Sequence, residues 1–197
     1  MVPIGNIKHK AMVLSVDLEF DNLNLFENPR ETPITTLFKY KQTCIGGTFD
    51  HMHLGHKLVL TQACLVTSEL IHVGITGDAL LQKKSFAEFL EPFEVRKQRV
   101  LKFIGVLYPH VKVNIFELVD PVGLAGVDPN IEACILTREV EKGGNMINEA
   151  REAKGLPKLD LVFVDMILAE TEHSEKNFSN KLSSTHIRQY LSEQKQL

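Results

Sequence analysis

Short apolar runs at Gln42–Gly46, Ile71–Ile75, Val111–Phe116, Ala133–Thr137 and Leu159–Val164 alternate with stretches whose apolar residues recur at helical spacing. A strand that reads as an unbroken apolar run is buried on both faces, and strands joined through helices pair in parallel. The alternation predicts an α/β fold, a Rossmann-like parallel sheet with helices on both faces. The first helix is expected to begin near Gly55 or His56 and run to Glu69, with Leu58, Val59, Ala63, Val66 and Leu70 facing the core. A second takes Pro92 in its first turn and carries Val95, Val100, Phe103, Ile104 and Leu107. A third is expected over Gly143–Lys154 and a fourth over Ser184–Gln194. Residues 1–38 read differently. Leu14, Val16, Leu18 and Phe20 alternate with Ser15, Asp17 and Glu19, and a loop with Pro29 and Pro33 follows. That pattern predicts an N-terminal extension with an edge strand and a linker, leaving 39–197 as the main domain.

With 197 residues, 44% of them hydrophobic, the chain can build one real core. Lys and Arg number 22 against 25 Asp and Glu, a net charge of −3, so the broad positive field of a nucleic-acid binder is missing. An anionic ligand has to be met by local cations. Cys44, Cys64 and Cys134 lie inside apolar runs, which predicts buried thiols in a reducing compartment and no disulfide framework. No apolar run approaches the roughly 18 residues of a membrane span. The start, MVPIGNIKHK, has no apolar signal region, so a cytoplasmic protein without membrane contact is expected.

The chemistry concentrates in Cys44–His56, CIGGTFDHMHLGH, which passes from an apolar strand through two glycines into the first helix. In an open α/β sheet the loop leaving the first strand is where ligands sit. Gly46 and Gly47 allow close approach of backbone to a phosphate, and the amides that open the helix are donors at the positive end of its dipole. His53 and His56, three apart, can point N–H groups at one anion. A metal site on His51, His53 and His56 is not expected, because the loop offers no further Cys or Glu as ligand. Asp50 reads as a turn-former. Neither the P-loop lysine nor the GxGxxG spacing is present.

GGTFDHMHLGH resembles the HxGH signature of the nucleotidyltransferase superfamily. Over about residues 40–190 the chain is similar to phosphopantetheine adenylyltransferases of the archaeal and eukaryotic type, as found in coenzyme A synthase. The likeness continues in residues 73–96 (VGITGDALLQKKSFAEFLEPFEVR), 119–151 and 181–188 (KLSSTHIR). The resemblance implies a nucleotidyltransferase fold that joins ATP to 4′-phosphopantetheine, giving dephospho-coenzyme A and pyrophosphate. It also implies Mg²⁺ with the ATP and association with a dephospho-coenzyme A kinase. His53, His56, Lys83 and Arg151 match the family's catalytic positions, Lys83 lying between the two phosphates and Arg151 serving as the main phosphate guanidinium. ATP is then expected on Gly46, Gly47, Thr48, Phe49 and His56, and on Ser183, Ser184, Thr185 and Arg188 at the last helix. The acceptor is expected on Thr48, Lys83, Lys84, Thr137, Glu139, Asn148 and Arg151. Val140 stands where relatives carry threonine, and Val122 and Leu124 where they often carry an aromatic residue and proline, so packing around the pantetheine arm is expected to differ. The nearest rival activity is adenylylation of nicotinamide mononucleotide, which leaves Lys83 and Lys84 unexplained. A nucleotide- or coenzyme A-binding module without catalysis would be favoured by loss of His53 or His56, and both are present.

Overall fold

Each apolar run folds as a strand. The computed structural model of the chain describes residues 38–109, 111–164 and 183–195; the expected strand at 14–20 and the linker after it lie outside them. The strands are β1 (Tyr40–Gly47), β2 (Thr67–Thr76), β3 (Lys112–Leu118), β4 (Ala133–Thr137) and β5 (Asp160–Val164). They form one sheet in the order β3-β2-β1-β4-β5 with every pairing parallel. The helices are α1 (Leu54–Val66), α2 (Phe93–Leu107), α3 (Glu141–Glu152) and α4 (Ser184–Gln194).

Neighbouring residues of a strand point to opposite faces, so the core contacts of β1 show where the helices lie. Ile45 packs in one cluster with Leu60, Ala63 and Cys64 of α1 and with Val100 and Ile104 of α2. Cys44 packs in a second cluster with Cys134 and Leu136 of β4 and Ile147 of α3. Helices therefore cover both faces, as expected. Because β1 has β2 on one side and β4 on the other, the chain leaves the sheet in opposite directions at this point, and a crevice opens beyond the strand ends.

Three helices have limits that differ from the sequence expectation, each for a local reason. α1 stops at Val66 and β2 begins at once, so Leu70 is a strand residue. The Thr67 hydroxyl turns back to donate to the Ala63 carbonyl at 2.6 Å and accepts from the Thr43 hydroxyl at 2.7 Å, which ties the helix end to β1. α3 starts and ends two residues early, closed by Gly155 at φ 69° and by the Leu156 amide on the Arg151 carbonyl at 2.9 Å. In α2, Pro92 is the N-cap and not a helical residue. Val95 and Leu107 face outward at 39% and 53% exposure, while Arg96 is fully buried in line with Val100 and Ile104. An apolar-only stripe misses this because a charged residue holds the core position.

All three cysteines are buried and free. Cys44 and Cys134 are register partners on β1 and β4; the hydrogen bond between them, and then burial, push the Cys44 thiol well up. Burial pushes Cys64 up to about 12. Such thiols stay protonated and are not nucleophiles.

Candidate active site

A cleft of about 310 Å³ opens where β1 and β4 end and α1 and α4 begin. Gly46, Gly47, Thr48 and Phe49 line it from β1 and its loop, His53, His56 and Val59 from α1, and Ile135, Thr137, Glu139 and Val140 from β4 and the turn after it. Lys84 and the α4 residues Ser183, Ser184, Thr185 and Arg188 complete it. Residues distant in sequence thus converge on one space, with polar groups and an apolar surface side by side.

The two histidines form the N-terminal cap of α1. His53 is the N-cap; its Nδ1 accepts the Gly55 amide at 3.2 Å, and His56 Nδ1 accepts the His53 amide at 3.5 Å. This is a capping box written with imidazoles in place of serine and glutamate. The rings stack at 3.9 Å between centroids. A nitrogen that accepts an amide hydrogen carries none, so in the neutral rings hydrogen resides on Nε2. Phe49 packs against His56 at 5.4 Å and is itself 2% exposed.

The loop between β1 and α1 is strained. Phe49 and His51 have φ of 52° and 45°, a left-handed backbone that L-residues rarely adopt. Gly47 serves that loop, because a Cβ there would lie 3.2 Å from the Phe49 ring. His51 turns away from the other two histidines; its Nε2 donates to the Phe89 carbonyl at 2.8 Å, and its amide donates to Glu91 at 2.8 Å. The three histidines do not converge. Atoms of Asp50, His51 and Glu91 do cluster within 4.8 Å, but an arginine already balances each carboxylate, Arg188 on Asp50 at 2.6 Å and Arg99 on Glu91 at 2.5 Å.

Asp50 does more than shape a turn. Its carboxylate is fully buried, accepting Arg188 Nη1 at 2.6 Å and the Glu91 amide at 2.9 Å, while its carbonyl accepts the Ser184 hydroxyl at 2.7 Å. The first loop thereby holds the start of α4. Arg188 is further held by the Ser85 carbonyl and the Thr185 hydroxyl oxygen, both at 3.1 Å. The Ser183 oxygen accepts the His186 amide at 3.3 Å, so Ser183 and Thr185 still have hydroxyl protons to donate, whereas the Ser184 proton is engaged on Asp50.

Three expected site residues lie elsewhere or are used differently. Lys84, not Lys83, lines the cleft; its amide closes a turn on the Leu81 carbonyl at 2.9 Å, and Lys83 is exposed outside the lining. Arg151 is fully buried and absent from the lining. Its guanidinium donates to the carbonyls of Pro157, Ala125, Asp128 and Ile131 at 2.6, 2.7, 2.8 and 3.3 Å, so it braces loops and does not grip phosphate. Asn148 clamps the backbone entering β5, donating to the Leu159 carbonyl at 3.1 Å and accepting its amide at 2.8 Å. Asn148→Ala strands both backbone groups and is expected to cost about 1–3 kcal/mol, read as a lower urea midpoint. Arg138 lies over the Phe163 ring at 5.2 Å and does not line the cleft. Arg96 and Glu91 are not among the expected site residues; the signal the sequence holds is a charged residue at 96, four and eight positions before Val100 and Ile104.

A parallel sheet whose central strand opens onto two imidazoles, an ammonium, a guanidinium and the amides of two helix N-termini gathers cations and N–H donors around one space, which suits an anionic ligand. The family model described as cytidylyltransferase-like matches residues 44–190. A Saccharomyces cerevisiae phosphopantetheine adenylyltransferase is 40% identical over 153 residues, covering 78% of this chain and 49% of the yeast protein. Its counterpart in Thermococcus kodakarensis is 35% identical over 150 residues, covering 76% of this chain and 86% of the archaeal one. The chain belongs to the cytidylyltransferase-like family, among the phosphopantetheine adenylyltransferases. A crystal structure of an Archaeoglobus fulgidus protein of unknown function shares the fold, with TM-score 0.55 and 26% identity over 64% of this chain and 99% of that one. The chain spans about half the length of the yeast relative and most of the archaeal one. Among the described residues no helix is long and apolar enough to cross a membrane.

Proposed function

We propose that this chain transfers the adenylyl group of ATP to 4′-phosphopantetheine, yielding dephospho-coenzyme A and pyrophosphate. The observation that carries this reading is the convergence of His53, His56, Lys84 and Arg188 on one cleft, in a chain whose relatives bear that activity in their names. An oxygen of the acceptor phosphate attacks the α-phosphorus, a new O–P bond forms, and the bond from the α-phosphorus to the bridging oxygen of pyrophosphate breaks. The attacking phosphate is already ionised near neutral pH, so no general base is needed. The barrier falls through alignment and through donors that meet charge on the transferring group and leaving oxygens.

In this reading the imidazole Nε2–H groups and the α1 amides hold the ATP phosphates, Thr48 donates where the reacting phosphates meet, and Lys84 offsets repulsion between the two anions. Arg188, Ser183 and Thr185 hold the leaving pyrophosphate, with the hydroxyl of Ser184 committed to the loop. Val59, Ile135 and Val140 give an apolar surface beside the polar groups. A divalent ion accompanies ATP in such transfers, and we assign it as Mg²⁺ entering as part of the nucleotide substrate. The carboxylates that cluster beside His51, Asp50 and Glu91, are already balanced by arginines, which fits an ion carried by the phosphates. Association with a kinase that phosphorylates dephospho-coenzyme A, and a cytoplasmic location, belong to the same proposal.

The test is pyrophosphate release from MgATP with phosphopantetheine or with nicotinamide mononucleotide as acceptor. Release with phosphopantetheine alone, abolished by excess chelator, is expected. Release with nicotinamide mononucleotide alone reassigns the acceptor, and tight ATP binding without release with either favours a non-catalytic module. The two neighbouring lysines separate in the same assay: Lys84→Ala is expected to lower kcat/KM by about 10–100-fold, and Lys83→Ala by less than about threefold.

A further inference from the structure

Arg96 is fully buried and does not line the cleft, yet it is hydrogen-bonded to the backbone that builds it. Its Nη1 donates to the carbonyls of Thr48 and Thr76, both at 2.8 Å. Its Nε donates to the Glu91 carbonyl at 2.9 Å, and its Nη2 to the Asp78 carboxylate at 2.6 Å. Thr48 follows β1 and borders the cleft, Thr76 ends β2, and Asp78 opens the segment that reaches Lys84. The network continues through the backbone of the same residue, Glu91, whose amide donates to Asp50 at 2.9 Å, and Asp50 in turn holds Arg188 at 2.6 Å. One guanidinium is thus bonded directly to the cleft residue Thr48 and, through the backbone of Glu91 and the Asp50 carboxylate, to Arg188 at α4.

We infer that Arg96 is a positioning residue: it sets the separation of Thr48, the Lys84 segment and Arg188, and with it the alignment of the reacting phosphates. The inference rests on the adenylyl transfer proposed above for its kinetic consequence and on hydrogen bonding alone for its structural one. Packing does not account for the choice of residue. The position lies in line with Val100 and Ile104, where an aliphatic side chain would fill the core without burying a charge, and the balancing Asp78 carboxylate is 69% exposed. The planar fork supplies several donors in fixed directions, which a lysine ammonium cannot reproduce at three carbonyls and a carboxylate together.

Arg96→Lys and Asp78→Ala test the inference, the second removing a side chain that is 69% exposed and leaving the guanidinium and its three carbonyl partners in place. Arg96→Lys is expected to lower kcat at least about tenfold, and Asp78→Ala about three- to fivefold, with KM for ATP moving less than about threefold, because misalignment acts on the transition state more than on the ground state. Hydrogen exchange should quicken over residues 46–50 and 77–85 in both variants. Wild-type kcat and wild-type exchange in the folded variants overturn the inference, as does a lowered melting temperature with kcat per folded molecule unchanged. If Arg96→Lys does not fold, Asp78→Ala decides. If the unaltered chain releases no pyrophosphate with phosphopantetheine, the proposed reaction fails, and the exchange rates, read with and without ATP, still decide whether Arg96 holds the cleft loops.

Discussion

His56→Ala is expected to lower kcat by about 100- to 1,000-fold while KM for ATP changes by less than about threefold, the pattern of losing a donor that matters most as charge moves. The argument runs through the cap. His56 accepts the His53 amide at Nδ1, so the hydrogen of its neutral ring is on Nε2, and the stack on His53 and the contact with Phe49 hold the ring in place. A donor fixed before substrate arrives costs no reorganisation in the transition state. Alanine also removes part of the cap, but a lost cap costs only about 0.5–2 kcal/mol of stability, which leaves the protein folded for assay. Pyrophosphate release at saturating ATP and acceptor, with the melting temperature measured alongside, separates the two effects. Unchanged turnover in a folded His56→Ala variant removes the histidine pair from the mechanism.

Some of this arrangement is legible in the sequence and some is not, and the division has a physical basis. β4 and α4 have the limits the sequence predicts because those limits carry local signals: a five-residue apolar run in one case, an N-capping serine in the other. The loop with His53 and His56 is legible because glycines, turn and histidines follow one another within a few residues. The buried arginines are not. Arg96 and Arg151 are satisfied mainly by backbone carbonyls, and every residue has a carbonyl, so no partner type announces them. Which of Lys83 and Lys84 faces the cleft depends on a turn closed by one backbone hydrogen bond to Leu81. Asp50 looked like a turn residue because its partner, Arg188, lies 138 positions away.

Arg151 carries the largest expected effect on stability. Its four carbonyl partners belong to the turn at Gly123–Gly126, to the approach to β4 and to the connection between α3 and β5, so one side chain braces three stretches of irregular backbone. Arg151→Ala leaves buried carbonyls without donors and opens a void, and the loss is expected at about 3–5 kcal/mol, against a total of about 5–15 for a domain. Arg151→Lys keeps a charge but loses the fork, and should fall between alanine and the unaltered chain in urea midpoint. The kinetic arm decides between bracing and phosphate binding. With Lys at 151, assayed well below the unfolding transition, KM for phosphopantetheine is expected within about twofold of normal. A guanidinium that gripped the acceptor phosphate would give the opposite pattern, with the urea midpoint unmoved and acceptor KM raised tenfold or more by about 1.4 kcal/mol of lost binding. Four of the five guanidinium N–H groups already meet carbonyls in a fully buried setting, so that second outcome requires the loops around Arg151 to rearrange when substrate binds.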